Sequence, residues 1–288
     1  MITEEKNGLK LFKFEGLAGE TGLVHAVTTR RGGISPEPYA SLNLGFGTKD
    51  LPENAVENLK LVCAAMDLPF GKTVRMRQAH TANVRVIGPG FGSRSVPTGA
   101  GQYKSSLMPV SGDKFGGTAP QAPEATDALV TNLKGVPLLA LSADCALTVL
   151  YDPVRSVLGV AHSGWRGAML NVCGAAAAVM KLQFGTMPGD LIAGVSPMIS
   201  AENYPVKDDL LEKLKMFYPD DVVRKCLLTR AGRHHFSLKD LLKSQLVALG
   251  VKNYEFAHMC TYANKDLFYS WRRDGEQAGR FGLIAMLK

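Results

Sequence analysis

The sequence predicts a composite α/β domain in which strands and helices alternate. Three observations carry that expectation. Short apolar runs rich in β-branched residues, such as 23–31 and 157–161, have strand composition. Longer runs at 52–66, 208–217 and 238–249 repeat apolar residues at helical spacing. No clean linker divides the 288 residues, a length that suits one large domain or two small ones.

In chain order, 23–31 reads as a strand running into the turn Arg30-Arg31-Gly32-Gly33. A helix follows at 52–66, with Val56, Leu59, Cys63 and Met66 on one face. Two strand-like runs flank Gln78-Ala79-His80 within 73–87. Residues 88–125 hold eight glycines and five prolines, too many for regular structure. A long irregular insertion of this kind is either a flap over a site or inert. Strands are expected at 138–141, 146–151 and 157–161, the last ending at His162. An Ala-rich buried helix is expected at 168–182, then a strand at 191–195. Amphipathic helices are expected at 208–217 and 238–249, the second stopped by Gly250. Runs 254–259 and 281–286 close the chain as strands.

Composition narrows the function classes. Lys and Arg exceed Asp and Glu by seven, a charge that attracts phosphates and other anions. Finger spacing, an aromatic RNA-binding strand and a basic arm are all missing, so nucleic acid is not an expected partner. Cys63, Cys145, Cys173, Cys226 and Cys260 are odd in number and scattered, as expected of reduced thiols in a cytoplasmic protein. No signal-peptide pattern opens the sequence. Its most apolar stretch, 136–151, is interrupted by Asp144 and is shorter than a membrane span, so no membrane association is expected.

Several residues have the chemistry of a site. Cys145 and His162 stand at the ends of apolar strands, 17 residues apart, which suits a hairpin returning to its start. With His80 they form a His/Cys/His set that suits zinc, leaving one position open for water or substrate. The same thiol and imidazole also suit nucleophilic catalysis, with Asp144 beside them. Spacing alone leaves both readings open. His162-Ser163-Gly164-Trp165-Arg166-Gly167 reads either as an anion site at a helix start or as a tight turn. Ser270-Trp271-Arg272-Arg273 mixes a ring for stacking with guanidinium groups for anions. The P-loop, HExxH and GxSxG patterns are absent.

These motifs, in this order, resemble the YfiH family, once catalogued as multicopper polyphenol oxidases or laccases. Its likeness runs from Thr29-Arg30-Arg31-Gly32-Gly33 to Gly279-Arg280. It takes in Ser41-Leu42-Asn43-Leu44-Gly45, Gln78-Ala79-His80, Asp127-Ala128-Leu129-Val130-Thr131, Ala143-Asp144-Cys145, Cys260-Thr261 and the two motifs just named. The resemblance implies an α+β fold, a layered α/β/β/α sandwich with mixed sheets, shared distantly with cytotoxic necrotizing factor toxins. It implies zinc on His80, Cys145 and His162. It implies phosphorolysis of adenosine, inosine, guanosine and methylthioadenosine, with deamination of adenosine. It also carries a suggested role in peptidoglycan editing, for which the alternative chemistry is a cysteine-type amide hydrolase. Asp144, Cys145 and Arg166 are the expected catalytic residues, with Asp144 as proton shuttle. Arg30, Asn43, Gln78 and Arg272 are the expected substrate and phosphate contacts. Ser163 departs from the alanine frequent in the family, and the 88–125 insertion is longer than usual. The six histidines include no His-X-His pair, so a multicopper cluster is not expected, although Cu²⁺ competes well for such a site. The expected assembly is a monomer or homodimer.

Overall fold

A computed structural model describes residues 1–89, 95–96, 125–230 and 232–288. Most of the 88–125 insertion, read as either a flap or inert, lies outside the described residues. Two mixed sheets organise the rest. The six-stranded sheet runs in the order Ile2–Lys6, Leu9–Lys13, Leu23–Thr28, Phe281–Leu287, Leu138–Ser142, Val74–Arg75. Its pairs are antiparallel except the last, which is parallel. The seven-stranded sheet runs Asn253–Phe256, Ile192–Val195, Ala146–Asp152, Val157–Ser163, Ala128–Thr131, Val84–Ile87, Ser95–Val96.

Side-chain alternation builds the layers, because successive residues of a strand face opposite sides. Leu138 and Ala140 meet Leu147, Val149, Leu158 and Val160 between the sheets. Leu139 and Ile284 point the other way, onto Leu59, Val62 and Cys63 of the helix Pro52–Ala65. From the seven-stranded sheet, Val130, Leu150 and Ala161 pack outward on the helices Val172–Phe184 and Leu238–Leu249. The order of layers is therefore α/β/β/α, as the resemblance implied. Full burial of side chains such as Leu139 or Leu150 contributes roughly 1.5–3 kcal/mol each.

Four local details depart from expectation. The single helix at 168–182 is two helices, Trp165–Met169 and Val172–Phe184. Asn171 between them has φ +55°, and its side chain accepts the Gly174 N–H, which caps the second helix. The strand ending at His162 continues through Ser163, because Ser163 still pairs with Ala146. A short helix, Asp220–Cys226, and a hairpin, Leu227–Arg230 with Arg233–Phe236, occupy ground where no element was expected. So does the N-terminal hairpin, whose charged outer strand, Ile2–Lys6, is a sheet edge; charge there discourages further strand pairing.

Two chain crossings pass from the six-stranded sheet to the seven-stranded one. After Val74–Arg75 in the first sheet, residues 76–83 lead to Val84–Ile87 in the second. After Leu138–Ser142, only Ala143, Asp144 and Cys145 precede Ala146–Asp152 in the second sheet.

Candidate functional site

His80 lies on the first crossing and Cys145 on the second. The hairpin of Ala146–Asp152 with Val157–Ser163 returns the chain, in the register His162–Leu147, so that His162 comes back beside Cys145. One ligand atom from each of His80, Cys145 and His162 falls within 4.8 Å of the others. Cys145 Sγ is 3.9 Å from His80 Nε2, and the two imidazoles meet edge to face at 5.0 Å. Gly164 is required by this packing. A Cβ there would stand 3.0 Å from Cys145 Sγ and against the His80 ring. The donor set and the close cradle fit a metal ion with affinity for sulfur and nitrogen.

Asp127, at the start of Ala128–Thr131, organises both histidines. It is fully buried. Its Oδ1 faces His162 Nδ1 at 2.9 Å and accepts the His80 N–H at 3.1 Å. Its Oδ2 accepts the N–H groups of Ala79 and Thr81 and the Thr81 hydroxyl. A carboxylate on Nδ1 fixes the ring so that Nε2 remains for the metal position. The same carboxylate shapes the turn that presents His80, whose φ is +59°. Sequence reasoning quoted the Asp127 motif but gave the residue no role.

Electrostatics follow from this crowding. Burial pushes the Cys145 thiol up, but the charges and hydrogen bonds of His162 and His80 outweigh it and bring the thiol down to about 6. Burial lowers His162, but the Cys145 thiolate and Asp127 raise it to about 9. Burial likewise raises Asp127, and the hydrogen bonds from His162 and Thr81 prevail, taking it to about 2. Cys145 and His162 thus favour each other's charged forms, and the thiol is biased toward the thiolate that ligates a metal.

The three donors open on a cavity of about 670 Å³, a size typical of small-molecule sites. Arg75, Arg77, Arg166, Arg272 and Arg280 line it, and among the described residues Asp144 is its only acidic side chain. Phe46, Trp165, Tyr204 and Trp271 supply aromatic surface. A cation lies over each of these rings: Arg75 over Phe46, Arg166 over Trp165 and Arg272 over Tyr204 at 4.4–4.9 Å, and Arg280 over Trp271 at 5.5 Å.

The structure brings some of the expected residues to this cavity and holds others behind it. Arg166, Gln78 and Arg272 line it. Gln78 is also engaged with the backbone of Leu141 through both amide atoms. Asp144 lines it too, but its oxygens accept the hydroxyls of Thr261 and Ser270 and the N–H of Arg272. Those bonds hold Asp144 at φ +103°, a conformation rarely adopted by a residue with a side chain, and so aim the neighbouring Cys145. Arg30 lies outside the lining; its guanidinium donates to the carbonyls of Ala40 and Lys265. Asn43 is buried behind the wall. Its Oδ1 accepts the N–H groups of Gly45 and Arg280, both wall residues. The wall residues Arg75, Arg77, Phe46 and Tyr204 were not singled out from the sequence. Arg75 and Arg77 flank the buried Met76, so the alternation that places both on one face was readable.

Residues 24–288 match the multi-copper polyphenol oxidoreductase laccase family. The chain belongs to that family. Similar proteins include a purine nucleoside phosphorylase of Bacteroides thetaiotaomicron, 29% identical over 97% of this chain and 96% of that one. Another, of Deinococcus radiodurans and also named purine nucleoside phosphorylase, is 31% identical over 96% and 92%. The crystal structure of the Bacillus licheniformis hypothetical protein YfiH superposes with a TM-score of 0.83 at 26% identity, covering 99% of both chains. YlmD of Geobacillus stearothermophilus gives 0.82 at 24% over 99% and 98%, a likeness of fold. The family carries a copper name, yet only two of this chain's six histidines join the His80/Cys145/His162 cluster. His25 accepts the Phe14 N–H, and His235 engages the Ala201 carbonyl. Among the described residues, no helix is long and apolar enough to cross a membrane.

Proposed function

We propose that the chain is a zinc-dependent purine nucleoside phosphorylase. A single observation supports it most: the three metal donors share one cavity with five arginines and four aromatic rings. A nucleoside and inorganic phosphate together need that combination. Arginine forks bind phosphate oxygens in pairs, and aromatic faces stack a purine. Arg166, Arg272 and Arg280 hold phosphate, with Arg75 and Arg77 adding positive potential. Trp271 and Phe46 face the base. His80, Cys145 and His162 hold zinc, which when bound supplies Lewis acidity to the substrate oxygens it faces. Asp127 orients His162 and the His80 turn. Asp144 holds Cys145 and the Arg272 backbone in place, and Asn43 holds the wall at Gly45 and Arg280.

The chain's own contribution to rate is positioning and charge. Phosphate carries its negative charge to the ribose anomeric carbon only if guanidinium groups offset it and fix its direction. Correct placement of two reactants accounts for up to ~7–11 kcal/mol of a barrier. Adenosine, inosine, guanosine and methylthioadenosine share the purine and the anomeric bond, so all are substrates in this reading. Deamination of adenosine at the same site belongs to it as well, in a cytoplasmic protein whose cysteines stay reduced.

Protein loaded with zinc is incubated with adenosine and phosphate, with and without chelator, and the products are identified by mass spectrometry. The expected products are adenine with ribose 1-phosphate, and inosine, lost on chelation and restored by zinc. Zinc-loaded protein that turns over none of the four nucleosides overturns the proposal.

One observation favours a second reading. Cys145, His162 and Asp127 stand in the order of a nucleophile, a base and its orienting carboxylate. That arrangement suits an amide hydrolase acting on cell-wall precursors. It predicts a covalent adduct on Cys145 and activity that survives chelation, the reverse of the zinc outcome.

A further inference from the structure

Tyr204 has an unusual position in the cavity wall. It comes directly after the turn Ala201–Asn203, and its backbone is held on both sides, with its N–H donating to Ala201 and its carbonyl accepting from Phe236. Phe236, on the hairpin, packs edge-on against its ring at 5.9 Å. The Arg272 guanidinium covers the ring at 4.9 Å and is itself fixed by donating to the Pro205 carbonyl at 3.0 Å. The ring is therefore clamped, and the side chain faces the cavity.

The hydroxyl is different from its polar neighbours. Both amide atoms of Gln78 are engaged with Leu141, and both oxygens of Asp144 accept hydrogen bonds. Thr48 Oγ1 donates to Gly45 and accepts from Asn43. The Tyr204 hydroxyl, among the described residues, has no hydrogen-bond partner. The arginines can only donate. A neutral phenol donates and accepts, so it can meet a substrate hydroxyl on either side. It also keeps its proton. Burial raises its pKa, the Cys145 thiolate raises it further, and Arg272 offsets only part of this. A group so reluctant to ionise positions substrate and does not transfer protons.

Its place along the cavity chooses the substrate atom. The ring lies under Arg272, a guanidinium of the phosphate-holding set. A substrate group that meets the hydroxyl is therefore close to the Arg272 guanidinium, which holds phosphate in the reading above. In a nucleoside approached by phosphate, the hydroxyl next to the reacting carbon is the ribose 2′-OH. We infer that the Tyr204 hydroxyl positions the 2′-OH of the nucleoside and makes the site selective for ribose over 2′-deoxyribose. This inference rests on the phosphorylase reading above.

The test compares zinc-loaded wild type with Tyr204→Phe on inosine and 2′-deoxyinosine, at saturating phosphate. The readout is the ratio of the two kcat/KM values within each protein, which cancels any loss of folded or metal-loaded enzyme. A polar site that loses its partner discriminates strongly, and one neutral hydrogen bond is worth about tenfold. The ratio favours inosine in wild type and falls about tenfold in Tyr204→Phe, with the KM for phosphate unchanged within about twofold. An unchanged ratio overturns the inference, and so does an equal loss on both nucleosides with a raised phosphate KM, which would put the hydroxyl on phosphate. Wild type that splits neither nucleoside overturns the phosphorylase reading itself, a result distinct from both.

Discussion

Asp127→Asn tests the proposed metal centre at the residue that orients both histidines. The carboxylate accepts at both oxygens: the His80 N–H and His162 on Oδ1, and two N–H groups and one hydroxyl on Oδ2. An amide has the same shape but only one acceptor oxygen. If its NH₂ replaces Oδ2, it opposes the three donors from Ala79 and Thr81. If it replaces Oδ1, it opposes the His80 N–H and turns His162 to the wrong tautomer. Neither orientation satisfies the site. Loss of such a supporting partner costs ~10–100-fold in metal affinity, or about 1.4–2.7 kcal/mol. The assay is a competitive zinc titration against a chelating dye at neutral pH, with circular dichroism confirming that Asp127→Asn is folded. Thr81→Val removes a single hydroxyl contact and is expected to lose less. A folded Asp127→Asn protein that binds zinc as tightly as wild type refutes the assignment of Asp127 as the group that orients His80 and His162.

Two other perturbations have defined outcomes. Gly164→Ala places a Cβ 3.0 Å from Cys145 Sγ and against His80, so zinc binding falls by ~10-fold or more while thermal unfolding of the metal-free protein moves by only a few degrees; retention of wild-type zinc affinity, read by the same titration, contradicts the cradle. His25 is buried, its Nε2 accepts the Phe14 N–H, and burial with Lys13 nearby lowers it to about 4. The unfolded chain takes up that proton first on acidification, so this contribution is complete above about pH 6.5 and lost as pH falls to about 4; at ~1.36 kcal/mol per pH unit it is worth about 3 kcal/mol. Urea unfolding of wild type and His25→Gln at pH 7 and pH 4 measures it: their stability difference should shrink on acidification, and a difference independent of pH contradicts the buried neutral imidazole.

The parts of the site that could be read from the sequence are those whose signal is local. Cys145 and His162 each follow or end an apolar strand, and 17 residues suffice for the hairpin that rejoins them. The buried strand at 138–141 was also legible, and the structure buries its two faces in different clusters, but the layering was implied only by the family resemblance. Asp127 was not legible as a support. Its partners are backbone amides 46–48 residues earlier and a ring 35 residues later, and a carboxylate before an apolar strand looks like any strand start. Arg30 and Asn43 show the opposite problem. Their residue types suit anion and sugar binding, but only the packed structure shows those atoms committed to Ala40, Lys265, Gly45 and Arg280. The break at Asn171 was hidden because an Ala-rich run has helical propensity on both sides of it.

The place where these residues meet has a physical reason. Two face-to-face sheets bury largely apolar inner faces on each other, and the residues of this cluster gather where the chain leaves the strands. Both crossings, 76–83 and 143–145, pass from one sheet to the other at such ends. Within the three-residue crossing 143–145, Asp144 has a positive φ that three hydrogen bonds hold. Those three bonds come from Thr261, Ser270 and Arg272, so the strained crossing ties the C-terminal segment to the His80/Cys145/His162 cluster. The guanidinium of Arg272 and the ring of Trp271 are thereby brought to the cavity that Cys145 opens on. One carboxylate thus links Cys145 to the arginine-lined wall, and Asp127, just before the strand Ala128–Thr131, links the His162 imidazole to the His80 backbone. The two acids most deeply built into the site are both engaged in hydrogen bonds that hold its geometry.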